Sequence, residues 1–254
     1  MRTKLSIASA ALAVFAVACS SSTTPSSKSA EKSPSTTLPA FGPGSDYHPS
    51  YVATEFSANV TNPWFPLKVG TTLVYTGTKD GEPVKNLFQA TADTKVVSGV
   101  TCRVVFDRLF SRGKLIESTH DYYAQDSAGN VWYFGEDTAE YENGKIVSTE
   151  GTWHAGVNGA QPGVFMQADP TLGRMFRQEY LAGHAEDTFK VLSVTASIKV
   201  PYGDYSGAMR TEERTELEPA VVDNKYYVKD IGEVREGAVK GGNEALVLTD
   251  VTTS

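Results

Sequence analysis

The chain has 254 residues, 40% of them hydrophobic, and 30 acidic against 23 basic side chains give a net charge of −7. An acidic protein of this kind offers no basic patch to a nucleic acid or an anionic bilayer face, so neither contact is expected. Its two cysteines, Cys19 and Cys102, leave almost no scope for disulfide stapling, so a hydrophobic core must hold the fold.

Residues 1–4 form a short basic start, residues 5–17 are an apolar run, and Ala16-Val17-Ala18 leads into Cys19. This is the layout of a secretory signal peptide over residues 1–18. With cysteine at the cleavage point it resembles the lipobox of bacterial lipoproteins, in which Cys19 is acylated and becomes the first mature residue. The apolar run falls short of the roughly twenty residues that span a hydrocarbon core. The membrane partner is therefore reached through lipid, and two acyl chains at about 0.8 kcal/mol per buried CH₂ hold firmly. The expected address is the extracytoplasmic face of the cell membrane.

Residues 19–46 follow, rich in Ser, Thr, Pro and Lys. Such a composition does not offset its ordering entropy and reads as a disordered tether. The globular domain is expected over residues 47–254. With Cys19 lipidated, Cys102 has no disulfide partner. It shares an alternating face with Val100, Val104 and Phe106, opposite Thr101, Arg103 and Asp107, and reads as a buried, inert thiol.

The domain carries a β pattern throughout. Leu192, Val194, Ala196, Ile198 and Val200 alternate with Ser193, Thr195, Ser197 and Lys199, the period of a half-buried strand. Asp80-Gly81, Arg112-Gly113, Gly129-Asn130, Asn143-Gly144 and Gly241-Gly242-Asn243 punctuate the chain at hairpin spacing, supplying the positive φ of tight turns. No window of a dozen residues shows a helical stripe. The fold class is all-β: an antiparallel meander of about ten or more strands forming a curved open barrel or sandwich. Charge on both faces of residues 210–218 predicts a solvated edge strand.

Several stretches carry a family resemblance. Tyr123-Ala124-Gln125-Asp126, Gly129 to Asp137 (GNVWYFGED), Gly151-Thr152-Trp153-His154-Ala155-Gly156 and Gly159-Ala160-Gln161-Pro162-Gly163 resemble a family of uncharacterised secreted lipoproteins of actinobacteria. Asn62-Pro63-Trp64-Phe65-Pro66-Leu67 near the start, and Lys225-Tyr226-Tyr227 with Ile231-Gly232-Glu233-Val234 near the end, fit the same pattern. The resemblance implies an envelope protein and brings no activity with it. More loosely, these flanking motifs resemble envelope lipoproteins built as a half-barrel with a lipid-accommodating concavity, which by itself licenses no function.

Chemistry motifs are sparse. The chain has no GxSxG elbow, HExxH, Walker loop or dinucleotide fingerprint, and neither a cofactor nor a metal is expected. Residues 126–130 lack the alternating oxygen ligands of a calcium loop and read as a turn. His184-Ala185-Glu186 has the HxE spacing of a zinc deaminase without its paired cysteines. Two constellations remain. Glu179, His184, Glu186 and Asp187 gather around Gly183 at a hairpin tip, and they form the candidate catalytic set for carboxylate acid–base chemistry. Trp153-His154 precedes a patternless loop over about residues 156–173 of the kind that often carries function. Trp132, Tyr133, Trp153, His154 and Tyr180 are the candidate ligand-binding set, since aromatic residues with polar tips suit a lipid or glycan. In residues 131–134, Trp132 and Phe134 share one face, Val131 and Tyr133 the other, and one of these faces lines any concave surface. The favoured function is a non-catalytic binding module for an apolar or amphipathic envelope ligand. A carboxylate hydrolase and an envelope scaffold are the alternatives.

Overall fold

The computed structural model describes residues 36–254. The expected signal peptide, Cys19 and the first part of the expected tether lie outside the described residues. Two short 3₁₀ turns, Gly44–Asp46 and Ala53–Glu55, are the helical elements among them. The rest is strand: β1 (Phe56–Ser57), β2 (Thr71–Lys79), β3 (Glu82–Val97), β4 (Val100–Ser111), β5 (Lys114–Asp126) and β6 (Val131–Glu142). There follow β7 (Lys145–Ser148), β8 (Trp153–His154), β9 (Gln161–Met166), β10 (Met175–Arg177) and β11 (Glu179–Tyr180). The last are β12 (Asp187–Val200), β13 (Gly203–Thr215), β14 (Val222–Val228), β15 (Gly232–Lys240) and β16 (Ala245–Thr253).

All pairs are antiparallel, and the sheet runs β10-β12-β13-β14-β15-β16-β2-β3-β4-β5-β6-β9-β11. The path begins and ends in one stretch, residues 175–180, whose first half pairs with β12 and whose second half pairs with β9. The sheet thereby curls into a nearly closed barrel with one seam, so the antiparallel all-β reading holds. At the seam Gly163 lies so close to the backbone of Arg177 and Gln178 that a Cβ would sit 2.2 Å from the Gln178 carbonyl carbon, leaving no room for any other residue.

Tight turns follow from residues that tolerate positive φ. Asp80 and Gly81 (φ 55° and 78°), Arg112 and Gly113 (49° and 77°) and Asn143 and Gly144 (51° and 76°) each join neighbouring strands through two residues, as hairpin twist requires. Ser98 and Gly99 (49° and 80°) form a turn of the same kind that composition alone does not single out.

Three expectations are corrected. The domain begins earlier than residue 47. Thr36 donates from its amide and hydroxyl to Glu55 Oε2 (2.8 and 3.1 Å), and Arg177 donates to the Gly42 carbonyl (3.1 Å). Residues 36–46 are thus held to the domain by polar contacts that composition does not reveal. The supposed loop of residues 156–173 contains β9, which pairs with β6 and β11. The strand at residues 210–215 is no edge, because β13 lies between β12 and β14. Its outward Glu212 pairs with Lys190 (3.0 Å) and Arg214 (2.9 Å), while Glu213 is buried against Lys225 (3.4 Å).

The outer wall is covered where the N-terminal segment crosses β4 to β6. Tyr51 and Phe56 meet the rings of Trp132 and Phe134 at centroid distances of 5.4 to 6.3 Å. Cys102 lies in this layer, fully buried, and burial pushes its thiol up to about 12, so it is inert at neutral pH. Farther along, Asn62 anchors the Asn62-Pro63-Trp64-Phe65 motif by donating to the carbonyls of Gly129 (2.9 Å) and Gln167 (3.0 Å). This delivers the Phe65 ring to the barrel interior.

Candidate cavity in the barrel interior

The interior holds a cavity of about 320 Å³, at the small end of the range for ligand sites. One part of its wall is aromatic. Phe65 lies 4.6 Å from Phe165 and 5.2 Å from Tyr123, and Tyr123 stacks on Tyr133 at 4.7 Å. The other part is charged, with nine carboxyl side chains against two lysines, Lys79 and Lys225. Lys79 and Glu244, about a third exposed, pair at 3.5 Å beside the Asp80-Gly81 turn.

The lysines serve only some of the acids. Lys225 reaches Glu236 (3.3 Å), Glu213 (3.4 Å) and Glu233 (3.9 Å). Burial alone would lower its ammonium, but these carboxylates outweigh it and hold Lys225 well above the usual lysine range. Asp107, Asp121, Glu136 and Glu179 have no such cation among the described residues. Burial pushes each of the four carboxyls up to about 8, reinforced in turn by the charge of the next acid: Asp121 on Asp107, Glu136 on Asp121, Glu179 on Glu136 and Asp187 on Glu179. A file of five carboxyls therefore crosses the wall from β4 through β5, β6 and β11 to β12.

Tyr133 gives the file its sharpest detail. Its hydroxyl lies 2.7 Å from Asp121 Oδ1 and 2.9 Å from Glu136 Oε2. A phenol has one hydrogen to donate, so satisfying both contacts requires one carboxyl to carry a proton and donate it back. Asn86 Nδ2 donates to Asp107 Oδ1. The neighbouring Tyr123 is only 4% exposed and its ring lines the cavity, yet its hydroxyl has no hydrogen-bond partner among the described residues.

The proposed catalytic set is divided by the fold. Glu179 and Asp187 line the cavity, and Asp187 is exposed to it. His184 is exposed on the turn, and Glu186 accepts the Gly183 amide at 2.7 Å, stabilising that turn. Glu179 and Glu186 therefore do not converge as a hydrolytic pair. Among the described residues no three His, Cys, Asp or Glu side chains are placed to hold a metal ion.

The aromatic set divides likewise, and only Tyr133 reaches the cavity. Trp132 is fully buried, and its indole N–H donates to Asp126 Oδ2 (3.0 Å). Trp153 packs edge-on against Tyr133 at 5.3 Å. Tyr180 meets Tyr47 at 6.3 Å, under the N-terminal segment. His154 Nε2 lies 2.8 Å from Asp137 Oδ1, where Lys95 Nζ (2.8 Å) and the Tyr122 hydroxyl also donate to that carboxylate. Partial burial alone would raise Asp137, but these donors hold it below the usual carboxylate range.

Sequence reasoning missed Asp107, Asp121, Glu136, Phe65, Phe165 and Lys225 as site residues, while Tyr123 was a candidate member of the aromatic lining. One signal for them exists: Asp107 keeps the parity of the buried Val105 and Leu109, and Asp121 that of Tyr123. An acid in phase with buried apolar neighbours points inward.

No protein-family model matches the sequence, and neither does any curated protein. Two solved structures are similar in part. One is a protein of Bacteroides fragilis, described as exported and as having a YmcC-like fold, at 15% identity and a TM-score of 0.44, over 74% of this chain and 98% of that one. The other is a protein of Parabacteroides distasonis, described as a lipoprotein, at 12% identity and a TM-score of 0.41, over 75% of this chain and 99% of that one. Likeness at this level carries nothing about ligand or activity.

Proposed function

We propose that this protein is an extracytoplasmic binding module, anchored through lipid on Cys19 and held off the membrane by its Ser/Thr/Pro-rich tether, whose barrel takes up a small amphipathic molecule of the cell envelope. The signal layout and the motif resemblance to secreted actinobacterial lipoproteins support the address. The observation that carries the binding role is the interior cavity of about 320 Å³, with an aromatic wall at one part and unpaired carboxyls at another. A barrel built only for stability fills its lumen with packed side chains. A purely apolar ligand fits this lumen poorly, because it would leave the carboxyls with no partner. Native mass spectrometry of the full-length protein extracted gently from its own membranes tests the reading. A small bound molecule should be released on unfolding, and it should be lost in Phe165→Trp, which fills the aromatic part. Protein that carries no such molecule, in wild type as in the variant, overturns it.

A further inference from the structure

The chemistry of the ligand can be narrowed further, resting on the binding role just proposed. Three features of the cavity are relevant. Asp121 and Glu136 share a single hydroxyl hydrogen from Tyr133, so together they accept fewer hydrogen bonds than they can. Tyr123, 4% exposed, presents a hydroxyl with no partner to the same space, where the charges of Asp121, Lys225 and Glu136 act on it. The hydroxyl borders the open lumen, so a donor or acceptor supplied from outside the chain can reach it. Beside these groups stand the rings of Phe65, Tyr123 and Phe165, whose centroids lie 4.6 to 5.2 Å apart. Ring faces attract cations as well as apolar surface.

We propose that the cavity is a site for a small organic ammonium ion, with its apolar body on Phe65, Tyr123 and Phe165 and its N–H donors on Asp121, Glu136 and the Tyr123 oxygen. An ammonium group supplies what the wall lacks: three donors and a positive charge in one compact head. An anionic ligand would add negative charge to a wall of nine carboxyl side chains and two lysines and is disfavoured. A bare divalent metal finds no set of side chains placed to hold it. The volume, roughly that of ten waters, suits an amine of about that many non-hydrogen atoms.

Proton uptake and release accompany such binding. Burial keeps Asp121 and Glu136 near 8, in sight of Asp107, Glu117, Glu179 and Lys225. The hydroxyl they share requires at least one of them to carry a proton, and an arriving ammonium ion lowers the pair's affinity for it, so a proton leaves for the buffer.

Isothermal titration of the full-length protein in detergent at pH 7, with 2-phenylethylamine, 2-phenylethanol and calcium chloride as probes, tests the inference. The amine should bind at least tenfold more tightly than the alcohol, with a heat that changes between buffers of different ionisation enthalpy, and calcium should not displace it. Asp121→Asn combined with Glu136→Gln should lose at least tenfold in amine affinity while leaving the alcohol unchanged, and Tyr123→Phe should lose a few-fold. Alcohol bound as tightly as amine, or calcium displacing the amine, overturns the ammonium assignment and leaves the binding role standing. Failure of both organic probes overturns the assignment as well. If no native molecule is carried either, the binding role falls with it. The comparison of probes in the wild-type protein needs no variant to fold.

Discussion

Asp126 and Asp121 stand on one strand, β5, and both are buried, at 3% and 6% exposure, yet the protein treats them in opposite ways. Asp126 closes the β5–β6 turn. It accepts the amides of Ala128 (3.0 Å) and Asn130 (2.8 Å), the Asn130 side chain (2.9 Å) and the Trp132 indole (3.0 Å). Asp121 shares one tyrosine hydroxyl with Glu136 and faces a cavity. Burial is common to both, so burial does not distinguish a structural carboxylate from one that serves a ligand. The supply of donors does: Asp126 is saturated by its own chain, and Asp121 is left wanting.

Substitution can break this comparison. Asp126→Ala leaves two backbone amides, an amide side chain and an indole without an acceptor at once. Urea denaturation should show a loss of about 4 kcal/mol. A loss below about 1 kcal/mol would mean that the saturated turn matters no more to stability than the unserved acids do.

The pH dependence sharpens it. Asp107, Asp121, Glu136 and Glu179 titrate at about 8 in the folded protein and at about 4 when unfolded. Between those values the native state binds more protons than the unfolded one. The stability these groups contribute is full below about pH 4 and lost as pH rises through about 8. Asp137, lowered by its donors, works in the other direction and weakens the fold in acid. Unfolding midpoints should therefore drop from about pH 5 to pH 8, and a flat profile would contradict the account of the interior acids.

The smallest effect is expected from Asp121→Asn. It removes a group that is costly to ionise and keeps its shape, so stability near neutral pH should change by no more than about 1 kcal/mol, and above pH 8 it should rise. A loss like that of Asp126→Ala would place Asp121 among the structural carboxylates.

The barrel was largely legible in the sequence because its turns are local. Asn143-Gly144 and Asp80-Gly81 announce positive φ from two adjacent residues, and Asp126 recruits donors from the next six. The charged strand at residues 210–215 misled for a physical reason. Charge on both faces marks an edge only where the sheet's inner side has no counter-charge, and here Glu213 finds Lys225 on the neighbouring strand β14. The site was half legible. Glu179, Asp187 and Tyr133 drew notice through their neighbours in sequence. Asp107, Asp121 and Glu136 lie far apart in sequence, and the register of the consecutive strands β4, β5 and β6 sets them side by side, Asp121 directly opposite Glu136.

Infrared spectroscopy of the carboxyl carbonyl region at pH 7 tests the central claim most directly, comparing wild type with the Asp121→Asn, Glu136→Gln double variant. The account predicts absorption from protonated carboxyl groups in the wild-type protein, reduced in the variant and discharged when 2-phenylethylamine is added. A wild-type spectrum showing carboxylate bands alone at that pH would contradict it.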